Sequence, residues 1–109
     1  MIYHDSCTIV AESQGQNGDM IEKARWENVA CEFTPINSVE GNASGPIVTR
    51  YRFFTGFDIE SRLAPVGASS VVLEYRGETV QVEGGFERHT VVGRFHHYEA
   101  IVQNLYGQF

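Results

Sequence analysis

The sequence predicts a mainly β chain, a small antiparallel β-barrel with long loops. Apolar residues alternate with polar ones through several runs, β-branched and aromatic residues concentrate in those runs, and Gly, Asn, Ser and Pro cluster between them. With 109 residues, eleven glycines and three prolines, the chain has the size of one domain that buries enough surface to fold alone. Eight basic residues stand against fourteen acidic ones, for a net charge of −6. That field repels phosphate and disfavours a dedicated nucleic-acid-binding module.

The elements follow in order. Cys7 to Ala11 is short, β-branched and apolar, and reads as a strand. Glu12 to Asp19 has no apolar anchor and reads as a flexible hairpin loop. Met20 to Phe33 reads as a long second strand: Ala24 and Trp26 share one alternating face, while Val29, Cys31 and Phe33 share the other. The change of face near Asn28 predicts a bulge. Pro35 to Pro46 is polar and Gly-rich and predicts a second long loop, the kind of segment that carries function on small domains. Ile47 to Phe57 alternates Ile47, Thr49, Tyr51 and Phe53 against Val48, Arg50, Arg52 and Phe54, and reads as a strand.

Asp58 to Gly67 looks irregular. Ser70 to Tyr75 and Glu78 to Glu83 flank Arg76-Gly77, a hairpin signal, with Gly84-Gly85 ending that pair and a turn or loop from Phe86 to Gly93. Arg94 to Leu105 fits both a strand and helical spacing. A strand is favoured because it closes a sheet made of strands, and the helix stays open.

No catalytic constellation emerges, and the chain is not expected to be an enzyme or to need a cofactor. Cys7 and Cys31 are too few for a disulfide framework or a zinc module and read as reduced thiols of a cytosolic chain, with Cys31 buried and inert. Neither a Gly-x-Ser-x-Gly elbow nor a Walker spacing occurs. His89, His96, His97 and Glu99 invite a metal reading, but adjacent strand residues His96 and His97 point to opposite faces, so no metal is expected. Asp58 and Glu60 read as solvated loop acids. Arg50 to Phe54 interleaves base and aromatic, which suits either a single-strand binding platform using Tyr51, Phe53 and Phe54, or a protein interface with Arg50 and Arg52 exposed. No signal peptide and no run of ~18 apolar residues is read, so a soluble chain without membrane association is expected.

An ordered set of strings resembles the head-to-tail stopper (head-completion) proteins of long-tailed phages, especially those of actinobacteria. These strings are Asn28 to Pro35, the loop Asn37 to Glu40, Tyr51-Arg52-Phe53-Phe54, Val72 to Gly84 and Gly93 to Ala100, finishing near Gly107. They cover essentially the whole chain. It departs from the family pattern at Glu83, Gly85-Phe86 and His89.

The resemblance implies a virion structural protein, assembled in the host cytoplasm and placed in the neck. There it forms a ring of its own copies, expected to be a hexamer, that closes the channel after DNA packaging and docks the tail. The implied partners are the head-tail adaptor above and the tail terminator or tail-tube protein below, with packaged DNA passing the lumen without sequence-specific binding. The channel-plug loop then carries over to Ile36, Asn37, Ser38, Val39, Glu40, Gly41, Asn42, Ala43, Ser44 and Gly45. Ser13, Gln14, Gly15, Gln16, Asn17, Gly18 and Asp19 are expected to contact a neighbouring ring, and Arg50 and Arg52 to mark an interface strand. A tail terminator is the alternative within this class.

Overall fold

A computed structural model of the chain describes residues 3–36 and 47–106. Its elements are β1 (Asp5–Gln14), β2 (Met20–Pro35), β3 (Ile47–Thr55), α1 (Ile59–Leu63), β4 (Ser70–Tyr75), β5 (Glu78–Val91) and β6 (Arg94–Tyr106). All strand pairings are antiparallel, and the sheet closes on itself in the order β1-β2-β3-β6-β5-β4, with β4 returning to β1. The mainly β, closed antiparallel architecture read from the alternation is therefore observed.

Inward-facing residues fill the ring. Ile9, Cys31, Phe53, Leu73, Tyr98 and Val102 are fully buried, and Cys7, Val29, Phe33, Val80 and Ala100 complete the same cluster. Phe33 stacks on Tyr75 with ring centroids 4.0 Å apart and lies 5.2 Å from Phe53, so aromatic area holds this end of the interior. Both cysteines are free and buried. A hydrogen bond with Cys7, and then burial, push the Cys31 thiol well above its usual range, so it stays protonated and inert.

The bulge expected near Asn28 is present. Cys7 pairs with Val29 and Ile9 with Trp26, which leaves one extra residue on β2. Asn28 takes a φ of 57°, a left-handed geometry that Asn tolerates better than most side chains. On the outer face, Arg25 reaches across β1 from Glu22 to Glu74 on β4, at 2.8 and 2.9 Å. Val10 lies between Arg25 and Val72 in register and is only 2% exposed, so this bridge roofs an outward-facing apolar residue.

Several boundaries differ from those read in the sequence. β1 runs on to Gln14, so Ser13 and Gln14 belong to a strand and pair with Ile21 and Met20. β3 stops at Thr55, whose hydroxyl donates to the Ala30 carbonyl at 2.8 Å and accepts from the Phe57 amide at 3.1 Å, turning the chain out of the sheet. The segment read as irregular holds the short helix α1. Asp58 caps it by accepting from the Ser61 amide and hydroxyl, and Ile59 inserts into the core.

The largest correction concerns β5. Gly84-Gly85 does not end the strand, and Phe86 to Gly93 is not a loop. With Glu83 opposite Ile101 and Glu87 opposite Glu99, three residues bulge against Ala100 alone, and the ladder then resumes to Val91. Gly84 at φ 72° permits the detour, and Phe86 packs on Phe53 with centroids 6.2 Å apart. The hairpin closes at Val92-Gly93, both at positive φ like Arg76-Gly77. β6 is a strand throughout, because pairing with β3 on one side and β5 on the other overrides its helical spacing.

Tyr98 latches α1 to β6: its hydroxyl shares one proton between Glu60 at 2.8 Å and Asp58 at 3.1 Å. Burial, and then these two carboxylates, push its phenol up from 10.0 to about 12. A folded-state value above the unfolded one means a contribution that is complete below pH 10.0 and disappears as pH climbs towards about 12. Urea unfolding of the wild type should therefore show a loss of stability in that window which Tyr98→Phe lacks, with tyrosinate absorbance marking the same late ionisation. Phe53→Ala should cost about 3–5 kcal/mol in the same assay, since the side chain is fully buried.

Candidate functional site

Strand direction distributes the surface. β2 carries the Gly15–Gly18 turn before its start and the Pro35–Ile47 connection after its end, so these two connections leave from opposite ends of the closed sheet. At the first end, the Gly15 amide donates to the Asp19 carbonyl at 2.7 Å and the Gly18 amide to the Gly15 carbonyl at 3.1 Å, which makes Gly15, Gln16, Asn17, Gly18 and Asp19 a compact hairpin tip. Exposed Met20 and Ile21 flank it, and from Met20 to Ala30 β2 pairs with β1 alone among the described strands. The β5–β6 tip lies at this same end and exposes Val91 and Val92.

At the other end, the Ile36 amide donates to the Arg50 carbonyl at 3.0 Å and extends the β2–β3 ladder by one step. The remaining plug-loop residues, Asn37 to Gly45, lie outside the described residues. Phe33, Pro35, Tyr51, Tyr75, Arg76, Glu78 and Val80 line a concavity at this end.

Arg50 and Arg52 project from the outer face of β3 and are roughly half exposed, but each has an acidic partner. Arg50 makes a two-pronged pair with Glu83 at 2.9 and 3.0 Å, and Arg52 reaches Glu99 at 3.4 Å. Phe53 is fully buried and Tyr51 packs against the core, so of the three aromatics weighed for base stacking only Phe54 shares the outer face with the arginines.

The register also assembles a group that the sequence reading set aside. His89 on β5 stands opposite His97 on β6, and Glu87 opposite Glu99. The two imidazoles stack with centroids 4.9 Å apart and planes 6° apart. His97 Nε2 lies 2.7 Å from Glu99 Oε2, and His89 Nε2 lies 3.5 Å from that same oxygen and 3.4 Å from Glu87 Oε1. Burial raises the Glu99 carboxyl, but the His97 hydrogen bond with the charges of His89, His97 and Arg52 outweighs it and leaves the value below the ordinary one.

The expectation that His96 and His97 point to opposite faces does not hold: with His89 opposite His97 and Thr90 opposite Phe95, His96 is an extra residue on β6, and its Nδ1 lies 2.7 Å from His97 Nδ1. The turn signal at Val92-Gly93, of the same kind as Arg76-Gly77, could have revealed the pairing, and Glu87 was missed with it.

No protein-family model, curated protein or solved structure matches the chain. Among the described residues no helix is long and apolar enough to cross a membrane. The Arg50–Glu83 pair keeps about a third or more of each side chain in water, so screening limits its worth and Arg50→Ala should shift the unfolding free energy by about 1 kcal/mol or less in denaturant titration.

Proposed function

We propose that this chain is a structural subunit that works by binding other protein subunits, as a ring-forming head-to-tail stopper of a long-tailed phage. The observation that carries the reading is the disposition of its two connections, the Gly15–Gly18 tip and the Pro35–Ile47 segment, which leave from opposite ends of a closed sheet. A subunit stacked between two other rings needs contacts on both ends and a core that does not deform between them. The Asn37–Gly45 segment would supply the channel plug and the hairpin tip a contact with the adjoining ring. The ordered likeness of the sequence strings to stopper proteins supports the same placement. The buried side chain of Phe53 and the net charge of −6 weigh against a single-strand binding module.

Imaging of the neck of assembled virions tests the placement. The expected result is a ring of this chain beneath the portal adaptor, and contact with the tail-tube protein alone would support a tail terminator instead. The hairpin arm gives a second test. Met20 and Ile21 are about half exposed, so replacing both with Ser should leave the unfolding midpoint nearly unchanged. It should weaken association with the neighbouring ring by about tenfold or more, read by sedimentation or surface capture.

A further inference from the structure

The geometry points to a transition-metal site on the outer face of the β5–β6 hairpin, in which His89, His97 and Glu99 hold a divalent ion of the zinc class and Glu87 supplies a fourth ligand. Among the described residues these first three are the one group of three or more His, Cys, Asp or Glu side chains whose ligand atoms lie within 4.8 Å of one another. A tetrahedral ion with bonds of about 2.0–2.2 Å sets its ligands roughly 3.3 Å apart. The separations of 2.7 and 3.5 Å around Glu99 Oε2, and 3.4 Å between His89 Nε2 and Glu87 Oε1, bracket that spacing. Because each lone pair lies in its ring plane, the two stacked imidazoles, now 6° from parallel, must tilt towards one another for both nitrogens to face the ion. Two imidazoles with carboxylate oxygens suit zinc and its neighbours better than magnesium or calcium, which take oxygen ligands.

The surroundings favour ligands over free surface groups. His97 is 9% exposed, tucked beside the Phe54 ring at 5.9 Å. Glu99 presents Oε2 to the histidines while Oε1 is engaged by Arg52 at 3.4 Å, which fixes the carboxylate's orientation. His96 Nδ1 lies 2.7 Å from His97 Nδ1, so one of the two carries the shared proton. When His97 donates it, the His97 Nε2 lone pair is free to face the ion, the arrangement by which outer partners set the tautomer of a ligating histidine.

The position also gives the ion a task. β3 pairs with β6 only as far as Thr55 opposite Tyr98, so beyond that point β5 and β6 form a two-stranded arm leading to exposed Val91 and Val92. Two strands alone are marginal in water, and an ion joining His89 to His97 would staple the arm where it leaves the sheet.

Full-length protein stripped with EDTA and titrated with zinc by calorimetry tests the site. The expected result is one saturable equivalent that magnesium does not match and a rise in melting temperature with zinc, with cobalt giving the absorption of a tetrahedral centre. His89→Gln is roughly half exposed and should fold normally, yet lower affinity at least tenfold. Glu99→Gln should do the same, and His96→Gln should lower it by about 10–100-fold through its hold on His97. His4→Gln, at the separate His4–Glu32 pair, should leave stoichiometry and affinity unchanged. Absence of saturable binding, or binding unaltered in both His89→Gln and Glu99→Gln, would overturn the proposal.

Discussion

The ladder between β1 and β4, from Thr8 opposite Glu74 to Glu12 opposite Ser70, turns a row of six strands into a closed surface. Closure brings Tyr75 of β4 past β1 onto Phe33 of β2, which also packs on Phe53, its in-register neighbour on β3. It also frees the outside. With Ile9, Cys31, Phe53, Leu73, Val80 and Val102 committed inward, outward positions such as Arg50, Arg52, His97 and Glu99 are available for charge and ligand chemistry.

Bending six strands into a ring requires local slack, and the chain provides it at Asn28 on β2 and at Gly84 to Phe86 on β5. Each irregularity also re-aims side chains. The first lets Val29, Cys31 and Phe33 face inward although Ala24 and Trp26 lie on the alternate register. The second turns Phe86 onto Phe53 and sets Glu87 and His89 beside Glu99 and His97. The histidine-carboxylate group therefore owes its existence to a distortion that the closed sheet needs in any case.

The alternation made β2, β3, β4 and the Arg76-Gly77 hairpin legible, and the face change at Asn28 gave the bulge, because each depends on neighbours close in sequence. The far half of β5 was not legible. A glycine pair signals an ending as readily as a bulge, and only the presence of β6 alongside decides between them. The helical spacing of Phe95, Tyr98, Ile101 and Val102 misleads for the same reason, since two flanking strands dictate the backbone there. Of the candidate site residues, the outward placement of Arg50 and Arg52 followed from period two, whereas their pairing with Glu83 and Glu99 depended on a strand order that local patterns do not encode.

Among the described strands, β2 pairs on one side alone between Met20 and Ala30, which leaves an open sheet edge. The edge of β2 turned away from β1 has no ladder partner over Met20 to Glu27 among the described strands, and such an edge is a template for an added strand. Glu22, Lys23, Arg25 and Glu27 stud that rim with charges of both signs. Charged side chains on an open strand edge disfavour indiscriminate edge-to-edge pairing, because an added strand must match their signs.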